Sequence, residues 1–471
     1  MKKLLLLFLL MLTCTLANAQ NTFEKIIDTL GSGIAICIQE TFDGGYVYCG
    51  ASQFNGNDAI VVKLDSVGTI EWAKIFSGPG IEGASYIEQT PDSGYIVNAT
   101  YDAGLNAKNW LLRLDANGDT LWTKTYSLGN GATTIDLGNS MATLNNSLYG
   151  LTGYFNPQPL TNLSTYLIVT FTNGLVLDSN IYNNSPYGST GYAVCKTFDN
   201  GFAITGEYST STSTADFNFI RTNSSGDTLF TRSYGFSQAD VGFDIKQTSD
   251  SGFVIAGIFW NSSTFKYNIF LIKTDSVGDT LWTKPFYSLE SQGVSSIFQT
   301  SDGGFIMAGR IVHGMPLQAD LLLIKTDALG DTLWTRFFGD IPSDNGYFVR
   351  PTKDGGYIIG GTGTIMGNAG AYIIKTDSLG NVYGSTGVAE LNNPFEFLVY
   401  PNPSSGLVHI SSKGLPQKGA LLQVINTEGK AVYSSPIANK CPHSFSLRPG
   451  IYVALLQVNA KNYAQKFIVL H

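Results

Sequence analysis

Histidine, charge and long apolar runs are all scarce in this chain, and each shortage removes a class of function. Only four histidines occur in 471 residues, at His313, His409, His443 and His471. No His-Glu-x-x-His helix, Gly-x-Ser-x-Gly elbow or Cys-x-x-Cys pair accompanies them, so no catalytic or metal-binding residues are readable and no cofactor is expected. Charged residues make up 14% of the chain, with a formal net charge of −8. Nothing there forms a basic stripe able to displace counterions from phosphates, which argues against nucleic acid. Five cysteines are too few for a disulfide scaffold.

Past the first twenty residues no run reaches the ~18 apolar residues that a transmembrane helix needs. The opening segment, "MKKLLLLFLLMLTCTLANAQ", has Lys2 and Lys3, an apolar stretch and the small residues Ala17 and Ala19. It reads as a cleavable secretory signal over 1–19. Cys14 is open to two readings, a lipidation cysteine or an ordinary cysteine of the apolar segment. Thr13, where Gly, Ala or Ser is usual, favours the second.

Gly, Ser, Thr, Asn, Phe and Tyr are plentiful, set in short strand-like runs between turn residues, as in an all-β extracellular protein. Self-similarity organises them. A Thr-x-Asp-x-Gly turn begins at Thr41, Thr90, Thr197, Thr248, Thr300 and Thr352, with a decayed copy, "TLNNS", at Thr143. A second turn centres on Gly68, Gly118, Gly174, Gly226, Gly278, Gly330 and Gly380. Both series give seven units of about fifty residues, which predicts a seven-bladed β-propeller over 20–384 with four strands per blade. In one unit these are "VGFDIKQT", "GFVIAGIFW", "YNIFLIKTD" and "DTLWTKPF"; the third, nearly all apolar, suits a strand covered on both faces. The tryptophan of the fourth is expected to pack between blades.

Asp43, Asp92, Asp199, Asp250, Asp302 and Asp354 are read as turn residues that accept backbone amides, with a following glycine at positive φ. Calcium needs about six to eight oxygens, and each turn offers two aspartates at most, so no metal site is expected. The last unit lacks its "TLWTK" strand, whereas Thr22–Asp28 supplies a similar one at the start of the mature chain. That segment is predicted to complete the last blade and close the ring, removing open sheet edges. A monomer is expected. Cys37 and Cys49 lie symmetrically about the Asp43-Gly44 turn and should face each other, either as a disulfide or as two small buried residues.

After a linker at 385–394 the pattern changes. The stretches "YPNPSSGLVHI", "VINTEGKAVY", "LRPGIYVALLQV" and "KFIVLH" suggest a small Ig-like β-sandwich over 395–471. Together they resemble the type A C-terminal sorting domain of the type IX secretion system of Bacteroidota, with Tyr400, Pro401, Asn402, Pro403 and Gly406 in its first motif. The resemblance implies export through the outer membrane. It also implies recognition by the translocon, and removal of the tail by a sortase-like peptidase that attaches the cargo to surface polysaccharide. The propeller resembles repeat-containing surface proteins of the same bacteria. Its turn resembles the Asp-box of sialidases, departing where that box continues to Thr-Trp. In those enzymes the box is a fold element away from catalysis.

Chemistry is harder to read. Glu207 and Glu290 stand out among the few propeller glutamates, yet nothing pairs them; Arg221, Arg310 and Arg350 are the arginines from which a carboxylate clamp would be built. The turns joining strands one to two and three to four are short and alike, while the loops at the other end vary in length. Tyr154, Trp260, Tyr267 and His313 lie in those variable loops and are the candidate ligand contacts. A non-catalytic glycan- or protein-binding module is expected ahead of a propeller hydrolase or lyase, which needs paired carboxylates or a Tyr and a Glu at the channel mouth. Thr120, Thr228, Thr280 and Thr332 sit in "DTL" strings that resemble the O-glycosylation acceptor of these bacteria, although hairpin chemistry explains the same residues.

Overall fold

The structure is a computed structural model. It describes residues 21–28, 33–52, 58–78, 80, 82–101, 107–128, 135–145, 147–156, 162–182, 185–236, 238–313, 318–339, 343–365, 368–382, 396–400, 407–413, 420–426, 430–437, 443–458 and 461–469. The signal segment with Cys14, the linker, Pro401, Asn402, Pro403, Gly406 and Cys441 lie outside the described residues.

Short β-branched and aromatic runs punctuated by Asp-Gly turns fold as antiparallel meanders. Blade 5 shows the unit: Asp240–Gln247, Phe253–Asn261, Lys266–Thr274 and Thr280–Phe286 pair in order. Its third strand is buried almost throughout, because neighbouring blades cover both faces. Seven such four-stranded sheets occur, over 34–76, 83–126, 135–182, 189–234, 240–286, 291–338 and 345–376, the last completed from the N-terminus. Each packs on the next and the seventh packs on the first, so the sheets form a closed seven-bladed propeller.

Closure is made by Phe23–Ile27, which pairs antiparallel with Asn368–Thr376 from Phe23↔Lys375 to Ile27↔Ala371. Phe23 takes the place held by tryptophan in other blades. Trp282 and Trp334 lie opposite Lys273 and Lys325, the counterparts of Lys375. Each of these rings covers the turn glycine of the following blade: Phe23 on Gly68, Trp72 on Gly118, Trp282 on Gly330, Trp334 on Gly380. The glycines adopt φ between 74° and 80° at those four positions, so the left-handed turn and the absent Cβ serve one contact.

The Thr-x-Asp-x-Gly turns hold more than the expected hairpin bonds. Asp250 accepts from Thr248 Oγ1 and from Gly252 N at 3.0 Å. It also pairs with Lys273 Nζ, 2.8 Å away on the third strand. The same lock joins Asp43 to Lys63, Asp92 to Arg113, Asp199 to Arg221, Asp302 to Lys325 and Asp354 to Lys375. The cations are nearly buried, with the Lys375 side chain 1% exposed. In "TSDSG" the left-handed residue is Ser251, at φ 68°, and not the glycine. Gly252 is required for room, since a Cβ there would run into the Thr274 carbonyl and the Lys273 ammonium. Blade 3 has lost both halves of the lock. Register puts Val169 in the cation's place, and puts Leu144, not Thr143, in the place of the turn threonine.

Cys37 and Cys49 are direct cross-strand partners, buried as free thiols. Contact clustering divides the chain into two compact units, Met1–Tyr383 and Gly384–His471. The second contains two antiparallel sheets: Glu396–Tyr400, Leu407–Lys413 and His443–Ser446 form one, while Ala431–Ile437, Ala420–Asn426, Gly450–Val458 and Lys461–Val469 form the other. Val408, Leu422, Val424, Ala454 and Leu456 fill its core.

Phe23→Ala in the full chain should destabilise the propeller by about 3–5 kcal/mol, read from the urea midpoint, whereas Phe23→Trp should retain most of the stability. For the turn lock, partial burial opposes ionisation of Asp302. Hydrogen bonds from Lys325, Thr300 and Gly304 outweigh it and hold the carboxyl at about 2, as Lys63, Thr41 and Gly45 do for Asp43. These folded-state values lie below the unfolded value of about 3.9, so their contribution is full above that pH and lost as pH falls toward 2. Asp302→Ala should flatten that acid-side loss. It should also destabilise more than Asp302→Ala with Lys325→Met, because the single change strands a buried ammonium.

Candidate functional site

The first strand of every blade carries a bulge at one place, for example between Gly242 and Asp244 or between Gly346 and Phe348. Four residues beyond the residue that precedes the bulge, the strand reaches a position set opposite the residue after the second strand's leading aromatic. That position is Gln39, Glu88, Ala142, Cys195, Lys246, Phe298 and Arg350 in blades 1 to 7. All seven line one cavity of about 290 Å³, so it lies on the propeller axis. Tyr86, Ser140, Asp244 and Phe348, two residues earlier, add to its wall. The leading aromatic is Tyr or Phe in every blade, yet the cavity position holds seven different residue types. Repetition has been kept where the scaffold needs it and abandoned at the axis.

The cavity lies toward the ends of the first strands that carry the short Thr-x-Asp-x-Gly turns, not toward the variable loops. A neighbouring cavity, also about 290 Å³, shares Glu88 and Thr143 and reaches Pro91, Asp92 and Arg113 between blades 2 and 3. It coincides with a break in the turn contacts. At four other junctions an amide of one blade's turn donates to the residue ending the next blade's first strand, as Phe42 N to Gln89 Oε1 at 2.7 Å and Ser249 N to Gln299 Oε1 at 2.8 Å. At the blade 2 to 3 junction the donor position is Pro91, which has no N–H, and the acceptor position is Thr143.

Charge in the axial cavity is unevenly compensated. Asp244 pairs with Lys246 and accepts Ile297 N at 2.9 Å. Glu88 accepts Thr143 Oγ1 at 2.8 Å and forms no ion pair among the described residues. Burial raises its carboxyl above the usual range, only partly opposed by that hydroxyl and by the charges of Arg350 and Lys196. Arg350 lies with its guanidinium carbon 4.6 Å from the Phe348 ring centroid and 5.0 Å from that of Phe298, and donates to Tyr86 Oη at 3.3 Å. Tyr86 and Phe348 meet edge to face, 6.1 Å between centroids.

The candidate contacts read from sequence are placed elsewhere. Trp260 and Tyr267 are cross-strand partners in blade 5 with ring centroids 4.9 Å apart. Tyr154 lies in Leu148–Asn156 of blade 3 and His313 ends Phe305–His313 of blade 6, its Nε2 3.4 Å from Asp320 Oδ2. Of the four, only Trp260 and Tyr267 are brought together. The arginine cluster is not formed: Arg221 is spent on Asp199, Arg310 of blade 6 reaches Asn345 of blade 7, and Arg350 alone enters the cavity. Glu207 and Glu290 do not line it. Glu88 escaped notice because no motif surrounds it. Aligning repeats on the turn threonine would have found it, since the residue two before that threonine is the axial position in six blades.

Among solved structures, the chain is similar to an acylaminoacyl peptidase of Pyrococcus horikoshii, at 11% identity and TM-score 0.43 over 83% of this chain and 59% of that one. It is similar to a puromycin hydrolase at 10% identity and TM-score 0.48, over 90% and 59%, and to a periplasmic gluconolactonase of Pseudomonas aeruginosa at 10% and 0.44, over 71% and 98%. The chain thus spans about 59% of the peptidase and of the puromycin hydrolase. No curated protein matches the sequence. The tail is more specific: residues 398–470 match the family described as the secretion system C-terminal sorting domain, which marks the chain for export.

Proposed function

We propose that this protein is a non-catalytic binding module, exported by the type IX secretion system of a Bacteroidota cell and released or held at the outer surface. The observation that carries the export reading is the sorting-domain match at 398–470. A signal over 1–19 takes the chain to the periplasm; the translocon and a sortase-like peptidase then act on the tail. The propeller, 20–384, carries the binding function, for glycan or protein. Support for binding comes from the axial cavity, where a repeating scaffold presents one non-repeating ring of side chains.

One observation favours a second reading, a polysaccharide hydrolase or lyase: Tyr86 and Glu88 stand two residues apart on one strand and both line the cavity. Hydrolysis by paired carboxylates needs a second free acid about 5–9.5 Å away. The other carboxylate among the described residues of the cavity, Asp244, is already held by Lys246 and Ile297 N. Binding without turnover is therefore the better supported reading.

Incubating the mature full chain with a glycan array and with soluble polysaccharides tests it. Retention on the array with no release of reducing or unsaturated ends is expected. Release that Glu88→Gln abolishes would overturn the reading in favour of the enzyme. For export, deletion of 395–471 should leave the propeller in the periplasm, and its arrival at the surface without that tail would contradict the assignment.

A further inference from the structure

We propose that the axial cavity binds a small organic monocarboxylate through its carboxylate group, with Arg350 as the clamp; this rests on the reading of that cavity as the binding site. Arginine carries five N–H donors in a planar fork, matched to the two oxygens of a carboxylate. Arg350 uses one for Tyr86 Oη, and its contacts with Phe298 and Phe348 use none. It forms no ion pair among the described residues, whereas Arg113 and Arg221, in the turn locks, each have an aspartate. The aromatic contacts hold the guanidinium in place before any ligand arrives, which lowers the ordering cost of binding.

The surroundings narrow the class of anion. Lys246 is neutralised by Asp244, so among the described residues of the cavity wall Arg350 is joined as a spare cation only by the exposed Lys196. Glu88 stands in the same ring and opposes a doubly charged phosphate, but it can accept a hydrogen bond from a hydroxyl or ammonium of the ligand. A volume of about 290 Å³ sits at the lower edge of ligand pockets, roughly 300–1,000 Å³, which suits one sugar-sized or amino-acid-sized unit. Phe298, Phe348 and Tyr86 supply the apolar wall for its carbon skeleton. A sugar acid and an amino acid share this chemistry.

Calorimetric titration of the mature full chain with D-glucuronate, L-alanine, glucose and inorganic phosphate tests the proposal and separates the two sources. Binding by glucuronate or alanine, with no binding by glucose or phosphate, is expected. Arg350→Met should weaken it at least about tenfold, the scale of a bidentate charged pair. Arg350→Lys, which keeps the charge without the fork, should fall between, with melting curves confirming that both variants fold. Glucose binding as tightly as glucuronate, phosphate binding more tightly, or Arg350→Met leaving affinity unchanged would overturn the carboxylate assignment. Silence from both carboxylates with retention on the glycan array would overturn it too and leave the binding reading standing. Silence in both assays would overturn both.

Discussion

Ring closure is the constraint on which the rest of this structure depends. Seven meanders can surround an axis only if the last sheet meets the first, and the five residues Phe23–Ile27 make that junction by joining a strand that enters from the other end of the propeller. An open array would leave two unpaired edges and no axial cavity. Because every blade contributes to the cavity wall, its geometry is fixed by the closure and not by any single loop.

Within the ring, local chemistry divides into positions that repeat and positions that do not. The turn lock repeats because its parts depend on one another. A buried lysine or arginine needs its aspartate, and the glycine leaves space for the ammonium. Blade 3 illustrates the dependence, having replaced cation and turn motif together. The axial ring carries no such mutual dependence, and there the residue type differs in every blade. A scaffold that holds its strands through distant turns leaves that ring open to vary, which suits a site that must match something outside the protein.

Much of the fold was legible in the sequence because seven near-copies of each turn announce the period. "TFEKIID" announces the closing strand by resembling the missing one. The face-to-face cysteines followed from symmetry about the Asp43-Gly44 turn, and the inter-blade packing of the tryptophans from their place on outer strands. Three things were less visible. Lys273 and its counterparts read as ordinary strand residues, since only the folded third strand brings them to the turn aspartate. In blade 3 the drift of the motif put the repeat one residue out of register, so that Leu144 and not Thr143 holds the turn position. Glu88 and Arg350 are far apart in sequence and come together only at the axis, while Trp260 and His313 were read as ligand contacts from their place in the variable connections and do not line the axial cavity.

The central claim is that the axial ring, and not the variable-loop face, is where this propeller meets its ligand. The most direct measurement compares two multiple variants for retention on the same glycan array: Glu88→Gln with Arg350→Met, and Trp260→Ala with Tyr267→Ala and His313→Ala. The account predicts that the axial pair abolishes retention while the loop set leaves it intact. Loss confined to the loop set, with the axial pair still binding, would contradict it.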